Sequence, residues 1–371
     1  MRIGIDARMM GKGYGLARYV EQLVLFLGKM DTDNEYVLFV NEQLQAEHFG
    51  SNFSQVLCDI PWYSVAEQLK MPGIIKKADV NVMHFPHWNV PMLYPGAYVV
   101  TIHDLTMYHY PRPDATTLGP VRYFIKDKLH RVVVKNAVKK AKKVIVTSEF
   151  TKQDVHKTLG TPMEKMYVTY QAPFELVLSN KTIDLEKFGI TKPFAMYVGS
   201  AYPHKNLNRL IEAWEQVREA TDDAYQLVLV GKKTSFYEKL FDNVAIQRFG
   251  NSIIYTDFLD DDQLSDLYQK SRLYVFPSLY EGFGLPPLEA MMHKIPVVSS
   301  MASCLPEVLA DAALYFDPEN VDHMAHMILQ GLEDEDIRLE LVQNGQKQCK
   351  LYSWDTLAKK THQMYTEISS Q

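Results

Sequence analysis

Cysteine is scarce in this chain. Cys58, Cys304 and Cys349 are widely separated and show no metal-ligand spacing, which argues against a disulfide framework or a zinc site and fits a reducing compartment. No apolar run approaches the roughly eighteen residues that a membrane-spanning helix needs. At the N-terminus Asp6 and Arg8 interrupt the place where a secretory leader would need its apolar centre. A cytoplasmic protein is therefore expected. Low-complexity segments and short repeats are missing. So is any basic excess, with 39 Lys+Arg against 45 Asp+Glu for a net charge of −6, and no nucleic-acid partner is expected.

That charge is unevenly divided. Residues 1–174 hold 21 basic against 16 acidic side chains, leaving 18 against 29 for residues 175–371. A basic first half suits an anionic surface or acceptor. Its strongest concentration is residues 122–143, a helical stretch with nine Lys or Arg and the single acid Asp127. The segment reads either as a solvated helix face or as a peripheral contact with the anionic inner face of a membrane. Its Val132 to Val134 and Val138 are expected to pack on the sheet.

Hydrophobic content of 47% in 371 residues fits a soluble globular protein of two or three domains. Residues 2–6, 34–40, 80–84, 98–102 and 144–147 read as strands. Helices are expected over 18–27 and 121–143, with another after the candidate cap Ser148. Alternating strands and helices predict a parallel sheet covered on both faces. After a crossing near 173–192 the pattern restarts, with strands at 194–198, 227–230, 253–256, 273–276 and 295–298 and helices opening at Leu207 and Ser353. Two α/β halves result, taken as residues 1–174 and 175–354. Open parallel sheets bind ligands at the C-terminal ends of their strands, so the residues that follow these strands are the candidates.

The most informative of these stretches is residues 275–298. A strand runs into Glu281-Gly-Phe-Gly-Leu-Pro-Pro-Leu-Glu289, with a helix opening at Leu285. Proline suits the first helical positions, where its missing N–H costs nothing. Pro286 and Pro287 leave Gly282, Phe283, Gly284 and Leu285 as the amide donors, at the positive end of the helix dipole. That arrangement favours phosphate. Glu281 and Glu289 flank it, and ionised carboxylates accept hydrogen bonds from sugar hydroxyls. Amides for a diphosphate between carboxylates for hydroxyls describe a nucleotide-sugar pocket. Earlier in the chain Gly11, Gly13 and Gly15 form a second glycine loop between a strand and a helix, which also lets amides approach phosphate.

The string from Phe276-Pro277-Ser278 to Glu289, with its two glutamates seven residues apart, closely resembles the signature of family 4 of the retaining glycosyltransferases. The resemblance covers essentially the whole chain and leans toward bacterial mannosyltransferases of polysaccharide synthesis. It implies the GT-B arrangement, two Rossmann-like domains facing a central cleft. The last helix, 355–371, would pack back on the first domain.

By the same resemblance, Lys205 after Gly199 is the phosphate-binding lysine, and Gly15 offers an amide to the donor diphosphate. Glu281 contacts the sugar ring, Glu289 the ribose, and His103 lies near the transferred sugar. Lys232 and Phe258 fall on the donor side, Phe258 in the loop that holds the nucleotide base. His84, His87, Trp88 and Asp104 are assigned to the acceptor side. Many relatives carry an arginine where Ser200 stands, so His204 or Arg209 is left as a second cation. No metal or other cofactor is implied, since Lys205 and the helix N-terminus take the leaving charge, and Asp260 to Asp262 read as a helix cap. Transfer of a hexose, mannose favoured, from a GDP- or UDP-linked donor to a glycan or lipid-linked acceptor is the expected activity. The departing phosphate would take the acceptor's proton, a covalent intermediate on Glu281 being the older alternative. A nucleotide-sugar 2-epimerase and a non-catalytic nucleotide-sugar-binding subunit are the other readings.

Overall fold

Strands whose side chains are apolar on both faces must be covered on both faces, and the two sheets of this protein are built from such strands. A computed structural model describes residues 1–11, 15–44, 49–113, 119–174, 182–242 and 249–369. Gly13, in the first glycine loop, lies outside the described residues. The chain divides into one unit of Met1–Gln171 with Ser353–Gln371, and a second of Ala172–Tyr352.

In the first unit seven strands, β1 (Arg2–Asp6), β2 (Glu35–Val40), β3 (Phe53–Leu57), β4 (Val82–Phe85), β5 (Tyr98–Ile102), β6 (Lys143–Val146) and β7 (Met166–Val168), pair in parallel in the order β3-β2-β1-β4-β5-β6-β7. The order reverses between β1 and β4, which opens a crevice at their C-terminal ends. The helix Gly15–Met30 follows β1 and buries Tyr19, Val20, Leu23, Val24 and Leu27. At the far end of the chain the helix Trp354–Ser369 packs along it.

His84 is a core residue and not part of an acceptor surface. It is fully buried, with Nδ1 2.6 Å from the Tyr365 hydroxyl and Nε2 2.9 Å from Thr101 Oγ1. A ring with both nitrogens committed to protein has nothing left for a ligand. Burial, with a contribution from nearby His103, pushes its pKa down to about 3, so the imidazole is neutral. Its function is to tie the C-terminal helix to β4.

The basic helix spans Gly119–Lys140. Val134, Ala137 and Val138 bury against the sheet, but Val132 does not: it is 54% exposed, in line with exposed Val121, Phe124, Ile125 and Leu129. No described helix is long and apolar enough to cross a membrane.

The second unit holds β8 (Phe194–Val198), β9 (Gln226–Val230), β10 (Ile253–Asp257), β11 (Leu273–Phe276), β12 (Val297–Ser300) and β13 (Ala313–Phe316), in the parallel order β10-β9-β8-β11-β12-β13. Here the order reverses between β8 and β11.

Candidate active site

The loops that leave β8 and β11 flank that reversal, and they are laced together. Beyond β8, Pro203–Lys205 forms a single 3-10 turn that ends on Asn206 at φ 61°. Asparagine tolerates this left-handed conformation better than most residues. Its side-chain amide donates to Pro277 O (3.1 Å) and Pro318 O (2.8 Å), while Leu279 N–H donates to His204 O (2.8 Å). With the loops so joined, Lys205 Nζ lies 2.5 Å from Glu281 Oε1, both side chains retaining some exposure at 18% and 14%. The ammonium also sits over the Phe276 ring at 5.7 Å.

Glu281 is fixed from a third loop, the one after β12. Its N–H donates to Ser303 Oγ (3.0 Å), and its carbonyl accepts from the Cys304 thiol (3.3 Å). Gly284 then caps the helix Leu285–Met292 at φ 94°, where a Cβ would lie 2.8 Å from Leu305 Cδ2. Conformation and space both demand glycine there. Because Pro286 and Pro287 follow Leu285, the orphan intrahelical donors reduce to the first amides of the helix. Glu289 stands one turn in and is half-buried. Burial above all holds the Tyr274 phenol far above its usual range, and the charges of both Glu289 and Glu281 add to that shift. The charges of both carboxylates therefore reach one buried phenol within β11.

An ammonium has three donors and a carboxylate two acceptor oxygens. One of each is used in the Lys205–Glu281 contact. The remaining donors suit phosphate oxygens and the remaining acceptor suits a hydroxyl.

Neighbouring strand ends carry the other donor-side candidates. Gly199, at φ 154°, accepts the Tyr237 hydroxyl on its carbonyl (2.8 Å), and a Cβ on it would lie 2.5 Å from the Tyr197 hydroxyl. The Ser200 carbonyl accepts from Tyr197 (2.8 Å). Lys232 is exposed after β9. After β10, Asp257 Oδ1 accepts the amides of both Lys233 and Phe258 at 2.8 Å. This joins the Lys232 loop to the Phe258 loop, and Phe258 leaves its ring 70% exposed. Of the two second-cation candidates, His204 is buried, whereas Arg209 is half-exposed and places Nη1 3.0 Å from Asn206 Oδ1, next to Lys205. Asp260 caps Asp261–Lys270 in a full capping box with Gln263.

In the first unit the candidates gather at the ends of β4 to β7. His103 Nε2–H donates to Pro86 O (2.8 Å), Nδ1 accepts from the Gln171 side chain (2.9 Å), and its own carbonyl accepts from Thr147 Oγ1 (2.7 Å). Tyr19 meets the ring edge-on at 4.7 Å between centroids. Burial lowers its pKa, so the ring is neutral. Asp104 Oδ1 accepts the Thr106 amide (2.7 Å) and so starts the turn Thr106–His109. His87 and Trp88 lie together beyond β4, with ring centroids 4.5 Å apart. Gly15 opens its helix with space around it, since a Cβ there meets nothing within 4 Å among the described residues. The fold alone does not need glycine at that position.

Sequence reasoning missed the residues that hold the site in place: Asn206, Ser303 and Gln171. Asn206 directly follows Lys205 in a turn, and that was the only sequence signal for it. Ser303 and Gln171 come from loops distant in sequence and gave none.

Residues 14–172 match the family described as Glycosyltransferase Family 4, and residues 180–348 match Glycosyl transferases group 1. The O-antigen chain mannosyltransferase B of Escherichia coli is 28% identical over 366 residues, covering 95% of this chain and 93% of that protein. In fold, sucrose-phosphate synthase from Thermosynechococcus elongatus aligns with a TM-score of 0.78 at 20% identity, over 100% of this chain and 99% of that one. HepE of Anabaena in complex with UDP-glucose aligns at 0.73 and 17% identity, over 99% of each chain.

Proposed function

Because this chain belongs to glycosyltransferase family 4, with the GT-B fold of two Rossmann-like units, we propose that it transfers a mannosyl group, with retention, from a nucleotide diphosphate mannose to a hydroxyl of a glycan or lipid-linked acceptor. The Lys205–Glu281 pair carries the proposal. It sits beside the point where the strand order reverses, with Glu281 in the turn ahead of the helix Leu285–Met292. Lys205 and the first amides of that helix receive the leaving diphosphate, Arg209 being the second cation. Glu281 accepts a hydroxyl of the sugar and Glu289 holds the ribose. Phe258 offers its ring to the base. Gly15 brings an amide to the diphosphate. His103 lies near the transferred sugar, and Asp104, His87 and Trp88 belong to the acceptor side.

In the reaction the bond between the anomeric carbon and the phosphate oxygen breaks. The acceptor oxygen bonds to that carbon on the face the phosphate leaves, and the acceptor's proton passes to the departing phosphate oxygen. Nucleoside diphosphate and an α-mannoside are the products. The name of the Escherichia coli relative supports mannose as the sugar, and mannose in turn supports GDP as the nucleotide. For an acceptor at a membrane, the helix Gly119–Lys140 lays its exposed apolar row, flanked by Arg122, Lys126 and Lys128, on an anionic lipid surface.

Nucleotide release from GDP-mannose, UDP-glucose and UDP-galactose in water tests the donor. GDP-mannose is expected to be turned over fastest, and 1H NMR of the first product is expected to show the α-anomer. Exclusive turnover of a UDP-sugar overturns the mannose assignment, and a β-anomer first product overturns retention.

A further inference from the structure

The first unit carries a second cluster that the donor chemistry does not use. Trp62 and Tyr63 precede the helix Val65–Ala78, His87 and Trp88 follow β4, and Tyr108 and His130 come from two further helices. Tyr63 stacks on Trp88 with centroids 5.1 Å apart, and Trp88 meets His87 at 4.5 Å and His130 at 4.3 Å. Tyr108 closes the row against His130 at 5.7 Å.

Two observations separate this row from ordinary packing. The first is Tyr63, which is 49% exposed and held at φ 59°, a left-handed conformation that bulky residues rarely adopt without support. Its amide donates to Glu67 Oε2 (2.9 Å), and Asn89, next to Trp88, donates to the same oxygen (2.6 Å). Glu67 Oε1 accepts from Arg8 Nη2 (2.5 Å), and Arg8 also pairs with Asp6 (2.7 Å) and lies over the Trp62 ring at 4.8 Å. All three charged residues are buried. Buried ion groups are poor stabilisers but good at fixing geometry. This one fixes the Trp62–Tyr63 end of the aromatic row and, through Asn89, the backbone beside Trp88 at its middle.

The second is polar. Among the described residues, Trp62 Nε1, His87 Nδ1 and both ring nitrogens of His130 are buried without a hydrogen-bond partner. Buried polar groups are nearly always paired, so four unpaired atoms in one patch mark a place that an ordered water or the polar groups of a ligand would complete. Burial keeps both imidazoles neutral, His130 at about 4 and His87 well below its usual value. The two imidazoles are thus neutral, and Arg131, over the Tyr108 ring at 4.7 Å, has its charge met by Asp127 at 2.8 Å. An exposed ring beside neutral, uncommitted polar groups matches a sugar, whose C–H face stacks on aromatics and whose hydroxyls both donate and accept.

We infer that the row Trp62, Tyr63, His87, Trp88 and His130 is a saccharide subsite that receives the terminal sugar of the acceptor. The inference rests on the transferase reading above, and it makes the acceptor a glycan in place of a bare lipid phosphate. Trp62 and Trp88 report on the row, because Trp214 and Trp354 are buried elsewhere. Titration of the full chain with α-mannobiose, lactose and N-acetylglucosamine is expected to give a saturable change in tryptophan fluorescence with at least one of them. Tyr63→Asn, which tolerates the left-handed backbone, is expected to weaken that binding about five- to tenfold, and Tyr63→Phe to leave it unchanged. Release of GDP from GDP-mannose in water is expected to stay within about twofold in both variants. No response to any of the three saccharides overturns the subsite, as does wild-type binding in Tyr63→Asn or a response to geranyl phosphate alone. Failure of the wild type to release nucleotide from any donor is a different result, and it removes the transferase reading itself.

Discussion

A phenylalanine ring left 70% exposed forgoes about 2 kcal/mol of burial, and at Phe258 the backbone around it is tightly held by Asp257. A rigid loop that presents an apolar ring is suited to stacking a base. Phe258→Ala is expected to raise the Kd for the nucleotide about five- to tenfold while leaving the melting temperature unchanged, because the lost contact is with ligand alone. Equal nucleotide affinity in the variant, by calorimetry, would remove Phe258 from the site. Lys205, Glu281 and Glu289 stand out in the sequence because the proposed phosphate-and-hydroxyl pocket would need a cation, amides and carboxylates at strand ends. His84 was misassigned because a histidine near a strand end looks the same whether its ring faces solvent or the core. Only the position of Tyr365, 281 residues away, decides between them.

At the level of elements, the strands Phe194–Val198 and Leu273–Phe276 and the helix starts at Leu207 and Leu285 follow directly from apolar runs bounded by turn residues. Two elements of the first unit gave no such signal. β3 lies at the sheet edge with a half-exposed pattern, and the helix Val65–Ala78 carries Pro72 inside it. A proline in a helix interior normally marks a break. The second unit's β12 begins two residues later than its apolar run, at Val297, beyond Pro296, which has no amide to donate. The outer face of the helix Gly119–Lys140 was also hidden, because whether Val132 faces the sheet or the solvent depends on the helix phase. Vesicle flotation tests that face. Binding to phosphatidylglycerol vesicles and not to phosphatidylcholine vesicles is expected, with a loss of at least about tenfold in a Phe124→Glu/Ile125→Glu variant, where two exposed apolar side chains are exchanged for charge. Binding that ignores lipid charge, or survives the variant, rules the contact out.

On the scale of the whole molecule, the chain leaves the first unit at Gln171 and returns to it at Ser353. Its last helix is anchored by Tyr365 on His84, by His362 on Asp31 (3.0 Å) and by Glu367 on Lys143. Tyr365→Phe removes a buried partner and is expected to cost about 1–3 kcal/mol, seen as a melting temperature lower by several degrees. The first unit also holds four histidines whose pKa lies below the ordinary value: His84 at about 3, His130 at about 4, His87 and His103. In each the folded state favours the neutral ring, so the unfolded chain binds protons first as the pH falls. Stability is therefore expected to be flat with respect to these groups above about pH 7 and to drop as the pH moves from about 6.5 toward 4. A melting temperature that is constant from pH 7 to pH 4.5 would contradict that arrangement.

The claim that a lysine paired with a carboxylate at the end of β8 receives the leaving diphosphate is tested most directly by the turnover of GDP-mannose in Lys205→Ala. The account predicts a fall in kcat of at least about a hundredfold, the scale of losing one preorganised charge at a developing anion, with the melting temperature within a few degrees of wild type. A folded Lys205→Ala enzyme that releases GDP at the wild-type rate would contradict it.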